Sequence, residues 1–243
     1  MIAAGRLHAA FRALPIGTID EILPGTTLLL APHPDDESLG CGGLIASLCA
    51  TGRPPLLVVL TDGAGSHPGS PSWPADRLRA ARRDEVLHAA ALLGLDAARV
   101  RFLALEDTRS PHEGPAFDEA VRALSAIQDE VRCAQVLTTW PHDPHCDHVS
   151  AALLGRALAA RHGLALLYYP VWGWLIDAET GLDCPMPEGW RFDAGPHLRA
   201  KAAAIAAHRT QYGGLIRDDP AGFVLPRALL AVFERRYETV LRA

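Results

Sequence analysis

The stretch Thr26-Thr27-Leu28-Leu29-Leu30-Ala31-Pro32-His33-Pro34-Asp35-Asp36-Glu37-Ser38-Leu39-Gly40 decides how this chain folds. Its first part is an unbroken apolar run of strand length, stopped at once by proline. Without polar alternation it fits a strand covered on both faces, as in a parallel sheet. Its second part puts one imidazole and three carboxylates within five positions at the strand's C-terminal edge. Ligands in open α/β sheets bind outside those edges.

The same pattern recurs outward. Leu56–Thr61 is a second run, stopped by Asp62-Gly63; Val100–Leu103, Ala134–Thr139 and Leu164–Tyr169 follow. Helical patterns lie between and after them, over Gly43–Ala50, Arg77–Leu93, Phe117–Cys133, Val149–His162, Leu198–Gln211 and Arg227–Leu241. Gly94 and Gly163 stand where helix C-caps belong. Such alternation predicts right-handed βαβ units in an α/β, Rossmann-like three-layer fold. Its central sheet is mostly parallel with helices on both faces, one domain spanning residues 1–243. Two segments rich in Pro, Gly and Asp, Gly63–Asp76 and Ile176–Pro196, read as loops.

Composition agrees. The 243 residues carry 23 Lys+Arg against 28 Asp+Glu, a formal charge of −5, with 49% hydrophobic and 21% charged residues. These values suit a globular domain and argue against disorder. The acidic balance disfavours a nucleic-acid partner, and no run approaches the ~20 apolar residues of a membrane span. Met1 to His8 lacks the basic-then-apolar profile of a secretory signal. The five cysteines are scattered and form no CxxC, so neither a disulfide framework nor a thiolate zinc site is expected. The expectation is a reduced, cytoplasmic protein, with homo-oligomerisation left open.

The fourth strand runs into Trp140-Pro141-His142-Asp143-Pro144-His145-Cys146-Asp147-His148, adding three imidazoles and two carboxylates. If the first and fourth strands are neighbours at the point where strand order reverses, both clusters face one crevice. Two imidazoles and one carboxylate make a three-ligand site for Zn²⁺ or Fe²⁺, with further groups left for acid–base work. Each cluster alone also fits a bland reading: Asp35 and Asp36 as helix-start residues, His145 and Asp147 as a surface ion pair. Together, so many carboxylates in one crevice would repel without a cation.

Ala31-Pro32-His33-Pro34-Asp35-Asp36-Glu37 with His145-Cys146-Asp147-His148 resembles the LmbE-like, or PIG-L, family of metal-dependent de-N-acetylases. Thr61-Asp62-Gly63, Arg82-Arg83-Asp84-Glu85 through Leu93-Gly94, and Lys201 through His208-Arg209-Thr210-Gln211 are similar to its weaker motifs. The resemblance implies removal of an N-acetyl group from an N-acetylglucosamine-type sugar conjugate by a metal-activated water, giving acetate and a free amine. It implies His33, Asp36 and His148 as metal ligands, Asp35 as general base, and His145 as the residue that polarises the carbonyl or protonates the amine. Asp147 is then expected to hydrogen-bond His145 and hold its tautomer. Cys146 stands where many relatives have proline, and its side chain is expected to point away from the ligands.

Arg82 and Asp107 are candidate substrate contacts, each with a structural alternative. Trp172 and Trp174 can stack on a sugar or simply pack. Lys201, His208 and Gln211 read chiefly as helix anchors, His142 and Asp143 as rim residues, and Asp62 as a group behind the site. Rival readings are an amidase acting on a different N-acyl substrate, a non-haem iron oxygenase, and a nucleotide-binding domain. The last lacks its glycine turn, since Gly40-Cys41-Gly42-Gly43 misses the G-x-G-x-x-G spacing.

Overall fold

A computed structural model describes residues 1–243. In chain order the elements are β1 (Ile2–Ala3), α1 (Ala4–Ala13), β2 (Ile16–Gly17), α2 (Ile19–Ile22), β3 (Thr27–Ala31), α3 (Asp36–Ala50), β4 (Leu56–Thr61) and α4 (Ala75–Leu92). Then come β5 (Val100–Leu105), α5 (Gly114–Val131), β6 (Gln135–Thr139), α6 (Cys146–His162), β7 (Ala165–Tyr169), β8 (Gly181–Leu182) and β9 (Gly189–Asp193). Helices α7 (Leu198–Ala207), α8 (Arg209–Tyr212) and α9 (Arg227–Phe233) precede the final β10 (Tyr237–Arg242).

The main sheet runs β2-β9-β10-β7-β6-β3-β4-β5. From β7 to β5 every pairing is parallel. The chain builds outward from β3 through β4 to β5, then crosses back to lay β6 on the other side of β3. Side chains alternate between two apolar layers. Leu29, Ala31, Leu57 and Val59 meet α3, α4 and α7, whereas Leu28, Leu30, Leu56, Val58 and Leu60 meet α5 and α6. That double burial is why these strands carry no polar alternation.

The glycines after the first motif serve packing. A Cβ on Gly40 would collide with the Tyr169 ring, and one on Gly43 with Ala194. Helix α3 therefore lies close against β7 and the end of β9. From β10, Glu238 accepts hydrogen bonds from the backbone of Gly43 (2.7 Å) and Leu44 (2.8 Å) and from Lys201 Nζ (2.7 Å).

The structure departs from the sequence expectation in several places. Helix α3 starts at Asp36, so the acidic cluster forms its first turn, where carboxylates suit the helix dipole. The segment Ile176–Pro196 contains β8 and β9. The run Leu198–Gln211 breaks at His208 (φ −77°, ψ 60°), whose ring turns toward Glu37. The helix expected over Arg227–Leu241 stops at Phe233, and Tyr237–Arg242 becomes a strand between β9 and β7. No helix is long and apolar enough to cross a membrane.

Candidate active site

Strand β3 delivers residues 32–36 to the start of α3, and β6 delivers residues 140–146 to the start of α6. Because β3 and β6 pair side by side, Leu29 opposite Leu137, the two clusters meet over the reversal of strand order. Neither strand is distorted to bring them together.

Three donor atoms converge there. Asp36 Oδ2 lies 3.1 Å from His33 Nδ1 and 3.2 Å from His148 Nε2, and those nitrogens are 3.3 Å apart. The other nitrogen of each ring is already committed. His33 Nε2 faces Asp147 Oδ2 at 3.0 Å and Asp107 Oδ1 at 3.4 Å, and His148 Nδ1 faces Asp143 Oδ2 at 2.8 Å. In the neutral rings the protons sit on those committed nitrogens, so two imidazole lone pairs and a carboxylate oxygen point at one spot. Donors 2.0–2.1 Å from a tetrahedral ion are about 3.3–3.4 Å apart, close to this triangle. Carboxylates behind both histidines are the usual second layer of such sites. The donor set fits a divalent cation.

The electrostatics agree. Burial opposes charge on His33, yet Asp107, Asp147 and Asp36 hold its pKa well above the ordinary imidazole value. Burial likewise opposes charge on His148, but Asp36 and Asp143 raise it to about 9. Although burial pushes the other way, His148 and His33 keep Asp36 ionised, and His33 with the Thr108 and Ser110 amides keeps Asp147 ionised. A site that pulls protons so strongly onto its imidazoles is one that attracts positive charge.

Beside the triangle lies a cavity of about 340 Å³, lined among others by Asp35, Arg82, Asp107, His145, Trp172 and Phe223. Asp35 has φ 142° and ψ −27°, a backbone conformation that costs a residue with a Cβ about 1–3 kcal/mol. Burial raises its carboxyl to about pKa 7, with the Arg82 charge pulling it down and the Asp36 charge pushing it up. A carboxylate poised there can exchange protons near neutral pH. His145 caps α6 and its Nδ1 accepts the Asp147 backbone N–H at 3.2 Å, which leaves the ring proton on Nε2. Burial and the neighbouring His33 and His148 lower its pKa to about 4.

A family model described as GlcNAc-PI de-N-acetylase, PIG-L, matches residues 28–159. The chain belongs to the PIG-L family. It is similar to the 1D-myo-inositol 2-acetamido-2-deoxy-alpha-D-glucopyranoside deacetylase of Mycobacteroides abscessus, with 31% identity over 82% of this chain and 85% of that protein. Two solved structures share the PIG-L fold. The N,N'-diacetylchitobiose deacetylase of Pyrococcus horikoshii has a TM-score of 0.62 at 21% identity, covering 88% of this chain and 82% of its own. The A40926 pseudoaglycone deacetylase has a TM-score of 0.65 at 20% identity, covering 89% and 96%. Two histidines and a carboxylate also serve oxygenases; membership in a de-N-acetylase family favours hydrolysis.

Within this PIG-L domain the structure brings His33, Asp35, Asp36, Asp107, His145 and Trp172 to the cavity, with His148 behind them. It corrects one expectation. The Asp147 carboxylate does not reach His145: it accepts from His33, Thr108 N (2.8 Å) and Ser110 N (3.0 Å), and only its backbone N–H meets His145. His145, its pKa lowered to about 4 by burial and by its neighbours His33 and His148, is a neutral Nε2–H donor near pH 7. Arg82 also lines the cavity, with Nη1 on Gly63 O (2.9 Å) and Nη2 on Pro34 O (2.7 Å) and Asp35 Oδ2 (3.3 Å).

Other residues also find their places. Asp143, expected on the rim, is 1% exposed and accepts from His148 and from the Val171, Trp172 and Gly173 amides. Its position five residues before His148 was the only sequence signal. Asp62 ties the Ala64 amide and Arg79 and touches no ligand. Lys201 anchors Glu238, while Trp174 packs on Phe11 and His8. Cys146 Sγ faces Thr108 O at 3.5 Å, away from the triangle. Gln211 reaches the cavity wall, and its buried Oε1 has no partner.

Proposed function

We propose that the chain is a metal-dependent hydrolase that removes the N-acetyl group of an N-acetylglucosamine-type sugar conjugate, giving acetate and a free amine. The observation that carries this is the convergence of His33 Nδ1, Asp36 Oδ2 and His148 Nε2 beside Asp35 and His145 in one cavity. His33, Asp36 and His148 would hold the ion, zinc in our reading and ferrous iron as the other candidate. When bound, such an ion polarises a carbonyl and makes water more acidic.

The protein's own groups supply the rest. Asp35 takes a proton from the attacking water as the water oxygen forms the new C–O bond to the acetyl carbon and the carbonyl π pair moves onto its oxygen. His145 donates its Nε2–H to the carbonyl oxygen as negative charge develops there, a pre-aimed contact of the kind that contributes most to acyl transfer. When the C–N bond breaks, the amine needs a proton. Asp35, which has just taken one, is the group able to return it, because neutral His145 has no proton to spare beyond the one it donates. A cavity of about 340 Å³ lies at the lower end of the small-molecule range and takes a sugar with part of its aglycone. Asp107 and Trp172 line it as hydroxyl acceptor and ring-stacking face.

The test is metal content together with amine release from N-acetylglucosaminyl-inositol, chitobiose and simple N-acetylglucosaminides, before and after chelation. We expect about one ion per chain and chelator-sensitive release of acetate and amine in equal amounts. A metal-replete protein that leaves every N-acetylglucosamine conjugate intact while cleaving another N-acyl compound would overturn the substrate class. A protein that takes up no ion would overturn the mechanism.

A further inference from the structure

The geometry points to Glu37 as the residue that positions Asp35, with His208 holding Glu37 in its turn. The backbone of Asp35 is twisted to φ 142°, and its N–H donates to Glu37 Oε2 at 3.0 Å. The Asp35 carbonyl accepts from Ser38 N (3.0 Å) and Leu39 N (2.9 Å), so the peptide is gripped on both sides. Asp35 is 5% exposed. Without Glu37 its N–H would have no acceptor and little water, and the strained peptide could rotate toward an ordinary conformation, swinging the carboxylate off the cavity.

Glu37 is fully buried, and its side chain folds back toward the strand instead of along the helix. Its other oxygen accepts from Ser38 Oγ at 2.7 Å and from His208 Nε2 at 2.9 Å. His208 comes from the junction of α7 and α8, 171 residues away, and is itself fully buried. Its Nδ1 has no partner, so Glu37 and Ser38 are the polar contacts that hold the ring. The break between α7 and α8 at His208 places that ring on Glu37. A helix cap alone would need only the Asp35 contact; the chain spends a buried histidine to fix the orientation of the carboxylate that makes it.

The kinetic arm of the test rests on the hydrolase reading above. We expect Glu37→Ala to lower kcat about 10- to 100-fold, the scale of a misplaced catalytic group, with KM and bound metal unchanged. Glu37→Gln keeps an acceptor for the Asp35 N–H and should recover most of the loss. In an Asp35→Asn background Glu37→Ala should cost nothing further, because it acts through Asp35. Independently of any substrate, the Asp35 amide resonance should shift in Glu37→Ala and stay nearly in place in Glu37→Gln. An equal loss in the Asp35→Asn background, or an unmoved Asp35 resonance, would overturn the inference. Should Glu37→Ala fail to fold, His208→Ala against the donor-preserving His208→Gln carries the same cycle. An unchanged kcat in folded His208→Ala removes the second half of the proposal. If wild type shows no hydrolysis but the resonance moves as expected, the hydrolase reading fails and the positioning contact stands.

Discussion

Replacing Asp143 by asparagine tests whether the metal triangle is held from behind. Asp143 Oδ2 accepts from His148 Nδ1 (2.8 Å), Val171 N (3.0 Å) and Trp172 N (3.2 Å), and Oδ1 accepts from Gly173 N. Asparagine has one oxygen for these four donors. Its better orientation keeps the oxygen toward His148, which sets the new NH₂ against the Gly173 N–H. One charge-assisted bond is lost, and the Gly173 N–H and the new NH₂ are both left buried without an acceptor, each worth about 1–3 kcal/mol. The three surviving bonds weaken toward neutral strength, for a total of about 3–6 kcal/mol of stability. The His148 ring loses its anionic anchor, and such changes typically cost 10- to 100-fold in metal affinity, or about 1.4–2.7 kcal/mol. Competition against a chromophoric chelator at fixed pH measures the affinity, and urea unfolding of metal-free and loaded protein measures stability. A folded variant that binds metal within twofold of wild type would refute the reasoning, because His148 would then be oriented by something other than Asp143.

Two further outcomes are expected. Burial raises the Asp35 pKa and the Arg82 charge beside it opposes that rise, so Arg82→Met should raise the pKa further and require a higher pH for ionisation. The acid limb of kcat/KM should then move to higher pH, by about one unit for a contact of this range; a limb that stays put would separate Arg82 from Asp35. At the end of β9, hydrogen bonds from Arg236 lower Asp193 to about pKa 2 in the folded state. A depressed carboxyl stabilises above its unfolded pKa of about 3.9 and loses that contribution as pH falls toward the folded value. Asp193→Asn should therefore melt slightly below wild type at neutral pH, with the gap closing between about pH 4 and pH 2. A gap that widens on acidification would contradict the pairing.

The parallel half of the sheet and both acidic–histidine clusters were legible because each is local. Leu28 to Leu30 carries its double burial in its composition, and His33 to Glu37 carries its chemistry in five adjacent positions. What stayed hidden depends on distant partners. Tyr237–Arg242 continues a helix-like run from Arg227 and becomes a strand only because β9 and β7 offer edges on either side. Glu238 looks like a surface residue but is 3% exposed, satisfied by Lys201 and by amides of α3 across the fold. The Asp147 carboxylate was assigned to the nearer histidine in sequence, yet its partner is His33, 114 residues earlier. Adjacency indicated the right residue and the wrong bond.

These hidden contacts share one construction. Each imidazole of the triangle is fixed by a carboxylate, and each carboxylate is fixed by backbone amides: Asp143 by residues 171–173, Asp147 by Thr108 and Ser110. Glu37 runs the same logic in reverse, using a histidine-held carboxylate to fix an amide, that of Asp35. Side chains with several rotors do not hold three donor atoms within 3.1–3.3 Å of one another by themselves, because each free rotor that is fixed costs entropy. Tying them to peptide groups transfers the rigidity of the sheet's C-terminal loops to the donor atoms. The loops after β5, β6 and β7 thus act as the frame of the site. Insertions there should perturb metal affinity, whereas changes of equal size in the segment joining α5 to β6, on the opposite edge of the sheet, should not.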